Sequence, residues 1–207
     1  MYRPRAFVET ELEQLDALLA RDAFITLLTC RDNLPTVSHV PVLYQRDGEH
    51  IVLTGHWARP NPQAGHAGQA LAIVHGPHAY LSPSWYPDKD SAARVPTWNY
   101  AVAHLHGDLQ TTDDHEQLAD IVGRLSRHYE ATVGSDWLFD AGRGQNARQL
   151  GGIIGFRLHV QQVEMKFKLS QNHPPANIEA AASQLSRQAH PDGPLLASMM
   201  RARLPTG

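Results

Sequence analysis

Residues 45–65 read QRDGEHIVLTGHWARPNPQAG. The Asp47-Gly48 pair is a strong turn signal, because glycine accepts the left-handed backbone that a tight hairpin demands. On one side of it, TVSHVPVLY (36–44) alternates apolar and polar residues; on the other, HIVLTGH (50–56) is rich in β-formers. Two such runs around a turn are antiparallel neighbours. The second run then ends in a crowd of hydrogen-bonding side chains: Thr54, His56, Trp57, Arg59, Asn61 and Gln63. Arg59 offers a planar fork of donors suited to a phosphate, and His56 and Thr54 can add two more. Pro60 and Pro62 bracket Asn61 and predict an extended, stiff exit from the strand. Convergent donors held stiffly favour a fixed anion such as a phosphomonoester. A solvated loop after a strand has the same composition, and the stretch is neither a Walker loop nor a GxGxxG fingerprint. On these residues alone both readings stand.

Working outward, AFITLLTC (23–30) has the length and β-content of a buried strand, with Cys30 as a buried or half-buried thiol. Pro41 predicts an edge or a bulge in 36–44. ALAIVHG (70–76) and HAYLSPSWY (78–86) read as a strand pair around Gly76-Pro77. TWNYAVAHLHGDLQ (97–110) is a strand with Val102, His104 and His106 on one face. GFRLHVQQVEMKFKLS (155–170) is a long strand whose alternation shifts phase at Gln161-Gln162, the mark of a bulge. Thr10 to Glu13 fits a capping box opening a helix that carries Leu12, Leu15, Leu18 and Leu19 and ends near Asp22. Asp113 to Tyr129 is a second helix, with Asp113 as cap, Glu116 as its partner, and Leu118, Ile121, Val122, Leu125 and Tyr129 in one stripe. The stretch 131–151 is loop or short helix. Two short helices follow, Pro174–Arg187 and Pro194–Leu204, separated at Gly193-Pro194. Six or seven strands, mostly adjacent in sequence, with two substantial helices predict a mainly-β, α+β fold: an antiparallel barrel with helices packed outside.

Composition narrows the function classes. The chain has 207 residues, enough for one domain or one domain with a small appendage. A net charge of −3 and the lack of any lysine- or arginine-rich block speak against a direct DNA surface. No run of about 18 apolar residues is present, so no membrane span is expected. MYRPRAF lacks an apolar signal region, and the single cysteine excludes an internal disulfide, so cytoplasmic residence is expected. Thirteen histidines invite a metal or haem reading. No HExxH occurs, and one cysteine cannot build a thiolate zinc site. His39, His104 and His106 lie on strands and could converge, but ordinary hydrogen bonding accounts for scattered histidines, and no metal is expected. No GxSxG supports a nucleophilic serine.

Two further clusters could carry chemistry. In VPTWNYAVAHLHG (95–107), Trp98 and Tyr100 could stack on a planar ring and Asn99 could bond its edge; aromatic packing at a strand start is the alternative. In KFKLSQN (166–172), Lys166 and Lys168 share a strand face. One aimed inward would serve a phosphate or carbonyl; two on a solvated edge would simply guard it. YLSPSWYP (80–87) reads as a rigid aromatic wall or a subunit contact.

Taken in order, MYRPRAF, GHWARPNPQ, YLSPSWYPDK, VPTWNYAVAHLHG, GGIIGF and KFKLSQN resemble the FMN-binding negative transcriptional regulators of the PaiB type, from Tyr2 to about Asn172. The resemblance implies an antiparallel split β-barrel of the FMN-binding type, akin to the pyridoxamine-phosphate-oxidase-like flavoproteins. It implies a barrel domain over 1–172 and a C-terminal helical extension, 173–207, packed on it. It also implies a homodimer with FMN in a groove at each end of the interface. Thr54, His56, Arg59, Asn61 and Gln63 would hold the FMN phosphate end, and Ser38 and His39 would run beside the ring. Trp98, Asn99, Lys168, Ser170 and Gln171 would line the ring or come from the partner subunit. Two positions depart from the pattern: Pro60 stands where a small residue is usual, and His173 where an arginine is frequent. The implied function is regulation of transcription, direct or through redox or metabolite sensing. The alternative is a flavin-dependent oxidoreductase acting on an unidentified small molecule, with no catalytic residue assigned beyond His104 or Tyr100 as conceivable bases. A weaker alternative is haem binding or degradation.

Overall fold

The structure, a computed structural model, describes residues 1–205; residues 206 and 207, the end of the expected C-terminal extension, lie outside the described residues. The strands are β1 (Val8–Glu9), β2 (Phe24–Arg31), β3 (Leu34–Pro41), β4 (Leu43–Asp47), β5 (His50–Ala58), β6 (Gly68–Leu81), β7 (Thr97–Thr112) and β8 (Ile153–Lys168). The helices are α1 (Leu12–Arg21), α2 (His115–Thr132), α3 (Gly144–Leu150), α4 (Pro175–Leu185) and α5 (Gly193–Arg201). The hydrogen-bonded order is β3-β2-β6-β7-β8-β5-β4, with β1 paired to β8. The β2–β3, β4–β5, β2–β6, β5–β8 and β1–β8 pairs are antiparallel. The fold is therefore mainly β with flanking helices, and its strand path has two ends, β3 and β4.

The chain divides into two compact units. The first comprises Ala17–Val74 and His104–Val163, and the second comprises Met1–Asp16, His75–Ala103 and the chain from Glu164 onward. In the first unit the hairpin that opens the sequence reading joins β4 to β5. Asp47 pairs with His50, and Gly48 takes φ +59° in the two-residue turn. The α2 stripe buries Leu118, Ile121 and Leu125, and the last two join Leu43 with Tyr129 packed alongside. Gly155 of β8 makes this possible: a Cβ there would come within 2.7 Å of Ile121 Cδ1 and 3.1 Å of Leu118 Cδ2. The Tyr129 hydroxyl donates to the Val42 carbonyl at 3.1 Å. Trp57 of β5 packs on Phe156 of β8, ring centroids 4.4 Å apart. In the second unit α4 and α5 bury Ile178, Ala181, Ala182 and Leu185 together with Leu196, Ala197 and Met200.

Several expectations are corrected. Gly76-Pro77 is not a turn: β6 runs straight through it. Burial falls on Ala70, Ala72, Val74 and Gly76 before it and on Pro77, Ala79 and Leu81 after it, a one-residue phase shift of the kind a bulge produces. The cap of α2 is Asp114, whose carboxylate accepts the Gln117 N–H at 2.9 Å, one residue later than expected. At α1 the Glu9 carboxylate accepts the N–H groups of Thr10 and Glu11 at 2.8 and 3.0 Å, and the helix starts at Leu12. Cys30 is exposed: it lies one pair from the Asp32-Asn33 turn that closes the β2–β3 hairpin, opposite Pro35. Pro41 ends β3, an outer strand of the path, which fits its missing N–H. The burial of β8 shifts phase across Gln161-Gln162 as expected.

Candidate functional site

The expected ligand-contacting residues fall into one group in each unit. In the first unit β5 ends at Ala58, the chain turns at Arg59-Pro60, and Pro62–Gly65 forms a 3-10 turn. The exit from the strand is thus not the extended run that the two prolines suggested. Pro62 sits at the start of the 3-10 turn, where its missing N–H costs nothing. Only Asn61, held by the following proline, stays extended at φ −64° and ψ 126°. Its Oδ1 accepts the Gln63 N–H at 2.9 Å, and its Nδ2 donates to Ser38 Oγ at 3.0 Å. Gln63 is fully buried, and its Nε2 donates toward Leu27 O, Thr29 Oγ1 and Thr36 O at 3.0, 3.1 and 3.0 Å. Thr29 Oγ1 lies 2.7 Å from His66 Nδ1. Asn61 and Gln63 therefore peg the loop onto the β2–β3 hairpin.

Arg59 is tied at both ends. Its N–H donates to Gly152 O and its Nε to Gly151 O, both at 2.7 Å. Its Nη1 lies 3.9 Å from Asp113 Oδ2 in a solvent-exposed pair, and the outer edge of the guanidinium faces solvent. His56 holds a buried Nδ1 that has no hydrogen-bond partner among the described residues, and burial lowers its pKa, favouring the neutral ring. Thr54 on the same strand is buried, and His39, on the exposed side of β3, meets Thr26 Oγ1 at 3.0 Å through Nδ1. The Arg59 guanidinium is a donor that fits the phosphate end of FMN, and the neutral His56 ring, with its buried Nδ1 unprotonated, can donate through Nε2. The Gly151-Gly152 carbonyls that aim Arg59 escape a reading of side chains, because their signal is a bare glycine pair.

In the second unit Asn99, fully buried, donates from Nδ2 to Ser170 Oγ at 2.9 Å. Ser170 sits at φ +66°, a conformation that side chains rarely adopt and that clusters at functional positions. Gln171 clamps the turn after β8: its Oε1 accepts the Leu169 N–H at 2.7 Å and its Nε2 donates to Phe167 O at 2.6 Å. The Lys168 ammonium donates to Thr97 Oγ1 and to the Trp98 carbonyl, the latter at 2.9 Å. Burial, helped by neighbouring Lys166, pushes the Lys168 pKa down. Trp98 is exposed and stands 6.2 Å, centroid to centroid, from both His78 and Tyr80.

A cavity of about 250 Å³ opens here, lined among others by Arg94, Thr97, Asn99, Lys168, Ser170 and His173. His173 stacks on Tyr86 with ring centroids 4.8 Å apart. Arg94 pairs with Asp88 through two hydrogen bonds, and Asn177 Nδ2 donates to the same carboxylate at 2.7 Å. The Arg94 hydrogen bonds hold the Asp88 pKa down at about 2. Asp88 and Arg94 are absent from the expected set: PDKDSAARVP has the composition of a plain polar loop, and nothing periodic marks a pair six residues apart; Tyr86 figures in the sequence only as part of the aromatic run YLSPSWYP.

Comparison with known proteins bears directly on this arrangement. The family described as "Putative FMN-binding domain" matches residues 1–162. The Bacillus subtilis (strain 168) protein "Protease synthase and sporulation protein PAI 2" is 30% identical over 208 residues, covering 99% of this chain and 98% of that relative. The chain belongs to the PaiB-type FMN-binding family. FMN is accordingly the cofactor of this PaiB-type chain. Among solved structures, the FAD and heme binding protein from Mycobacterium smegmatis superposes with a TM-score of 0.52 at 19% identity, covering 78% of this chain and 73% of that one. The flavocytochrome Anf3 from Azotobacter vinelandii superposes with a TM-score of 0.53 at 13% identity, covering 81% and 72%. At those identities the likeness speaks for the fold alone, a mainly antiparallel sheet of the split-barrel type with flanking helices. No helix among its described residues is long and apolar enough to cross a membrane.

Proposed function

We propose that the strand-end loop holds the FMN phosphate, with Arg59 and His56 as direct donors and Thr54, Asn61 and Gln63 holding them in place. Ser38 and His39 lie along the ring, and Trp98, Asn99, Lys168, Ser170 and Gln171 border it from the partner subunit of a homodimer. The observation that carries this reading is the Arg59 side chain, fixed by the Gly151 carbonyl at 2.7 Å with its outer edge open. A fixed guanidinium binds an oxyanion without first losing its own freedom. FMN, when bound, supplies electron- and hydride-transfer chemistry; the chain supplies binding and orientation. The test is FMN titration of wild type and Arg59→Ala, followed by flavin fluorescence. A variant of unchanged affinity and fold would refute the phosphate assignment.

At the level of the cell, the proposed role is control of transcription through the redox state or ligand occupancy of the flavin site, acting by way of a partner. The name of the Bacillus relative, which refers to protease synthase and sporulation, supports a regulatory role. The net charge of −3 favours an indirect route over direct DNA contact. A second reading, a flavin-dependent oxidoreductase, is favoured by the cavity that Lys168 and His173 line. Screening the FMN-loaded protein for oxidation of nicotinamide donors in the presence of small acids separates the two.

A further inference from the structure

The cavity beside the end of β8 is unlike the strand-end loop in one respect: among the described residues no Asp or Glu lines it. Its lining includes Arg94, Thr97, Asn99, Lys168, Asn172 and His173. Lys168 spends two of its three N–H groups on Thr97 Oγ1 and the Trp98 carbonyl and has no carboxylate partner among the described residues. Its third N–H and its charge remain unspent.

His173 supplies a second donor by a tautomer argument. Its Nδ1 is buried and meets no partner among the described residues, while its Nε2 is the less buried ring nitrogen. A buried N–H without an acceptor is rarer and costlier than a buried acceptor without a donor. The proton of the neutral ring therefore sits on Nε2, the accessible edge. Stacking on Tyr86 fixes the plane of the ring. Burial keeps the ring neutral, and the Arg94 and Lys168 charges act in the same direction, against the opposing pull of Asp88.

We propose that this cavity is a carboxylate-binding subsite for a small organic acid, with the Lys168 ammonium and the His173 Nε2–H as its donors. Charge selects the ligand class. Arg94 is neutralised by Asp88 in a two-bond pair, which leaves the single charge of Lys168. One positive charge balances a carboxylate, whereas a phosphomonoester brings about −1.5 to −2. Size agrees, since about 250 Å³ is below the range of roughly 300–1,000 Å³ that holds drug-sized ligands. The inference rests on the sensing role proposed above and deepens it by naming its ligand class: the subsite shares Asn99, Lys168 and Ser170 with the proposed border of the flavin ring, so the acid lies beside the ring.

The test is an NMR titration of the full chain with acetate and, separately, inorganic phosphate, on FMN-saturated and flavin-free protein. The His173 imidazole and the Asn172 backbone amide are the reporters. Acetate is expected to shift both saturably in both preparations, with phosphate the weaker probe. Lys168→Gln is expected to raise the acetate midpoint at least about tenfold, the worth of one charge-assisted hydrogen bond. His173→Phe keeps a ring on Tyr86, is followed at the Asn172 amide, and decides the matter if Lys168→Gln fails to fold; its acetate midpoint is also expected to rise. Absence of a saturable shift, an unchanged midpoint in the folded variants, or tighter binding of phosphate than of acetate would overturn the proposal. Acetate binding to flavin-free protein that takes up no FMN would leave this subsite standing and count against the FMN assignment instead.

Discussion

Arg59 shows how much one side chain can be asked to do and how its role can be separated from stability. Its contacts are to carbonyls and an exposed carboxylate, so Arg59→Ala is expected to weaken FMN binding by about tenfold or more, the loss of a charge-assisted contact, while the unfolding midpoint shifts little. Gly155 is the opposite case. Alanine there would put a Cβ 2.7 Å from Ile121 Cδ1 and is expected to cost about 1–3 kcal/mol in denaturant unfolding. Asp88 gives a pH signature. Its pKa falls from 3.8 to about 2 on folding, so its contribution to stability is complete above pH 3.8 and disappears as pH falls through about 2. The stability gap between wild type and Asp88→Asn, measured across that range, is expected to close on acidification. The sequence carried Arg59, His56 and Lys168 plainly, because their chemistry is written in the residue type. Gly151, which orients Arg59, and Thr29 and Thr36, which hold Gln63, are ordinary residues that matter only through backbone and hydroxyl partners far away in the chain.

Helices and strands were legible wherever one face is buried and the other is wet. The α2 stripe is such a case: Leu118→Ala or Ile121→Ala is expected to cost about 2–5 kcal/mol, read by chemical denaturation, with FMN affinity retained. Removing the cap by Asp114→Ala is expected to cost about 0.5–2 kcal/mol. That cap was misplaced by one residue because Asp113 and Asp114 are adjacent and either can start the same helical stripe. The larger miss was β6. Gly-Pro is ordinarily punctuation, yet here the pair sits inside a 14-residue strand where burial changes phase. A bulge and a turn share the same residue types, and only the pairing of the neighbouring strands distinguishes them. The same ambiguity did no harm in β8, where Gln161-Gln162 break the alternation without any turn-former.

For the molecule as a whole, a mainly β, α+β class followed from the sequence because the hairpin at Asp47-Gly48 makes its two flanks antiparallel neighbours, although the run 36–44 is not one strand: it divides at Val42 into β3, which pairs with β2, and β4, which pairs with β5. The family likeness added what periodicity does not contain, namely the cofactor. Indirect regulation carries its own expectation: no retarded mobility of a promoter fragment at micromolar protein and physiological salt. A shift that weakens as salt rises would instead point to direct phosphate contacts. The measurement closest to the centre of the account is the visible absorption spectrum of the purified protein, repeated on the supernatant after heat release. Two broad flavin bands, with the released chromophore identified as FMN, are the predicted result. A colourless protein that also fails to take up added FMN, or a single intense haem band, would contradict it.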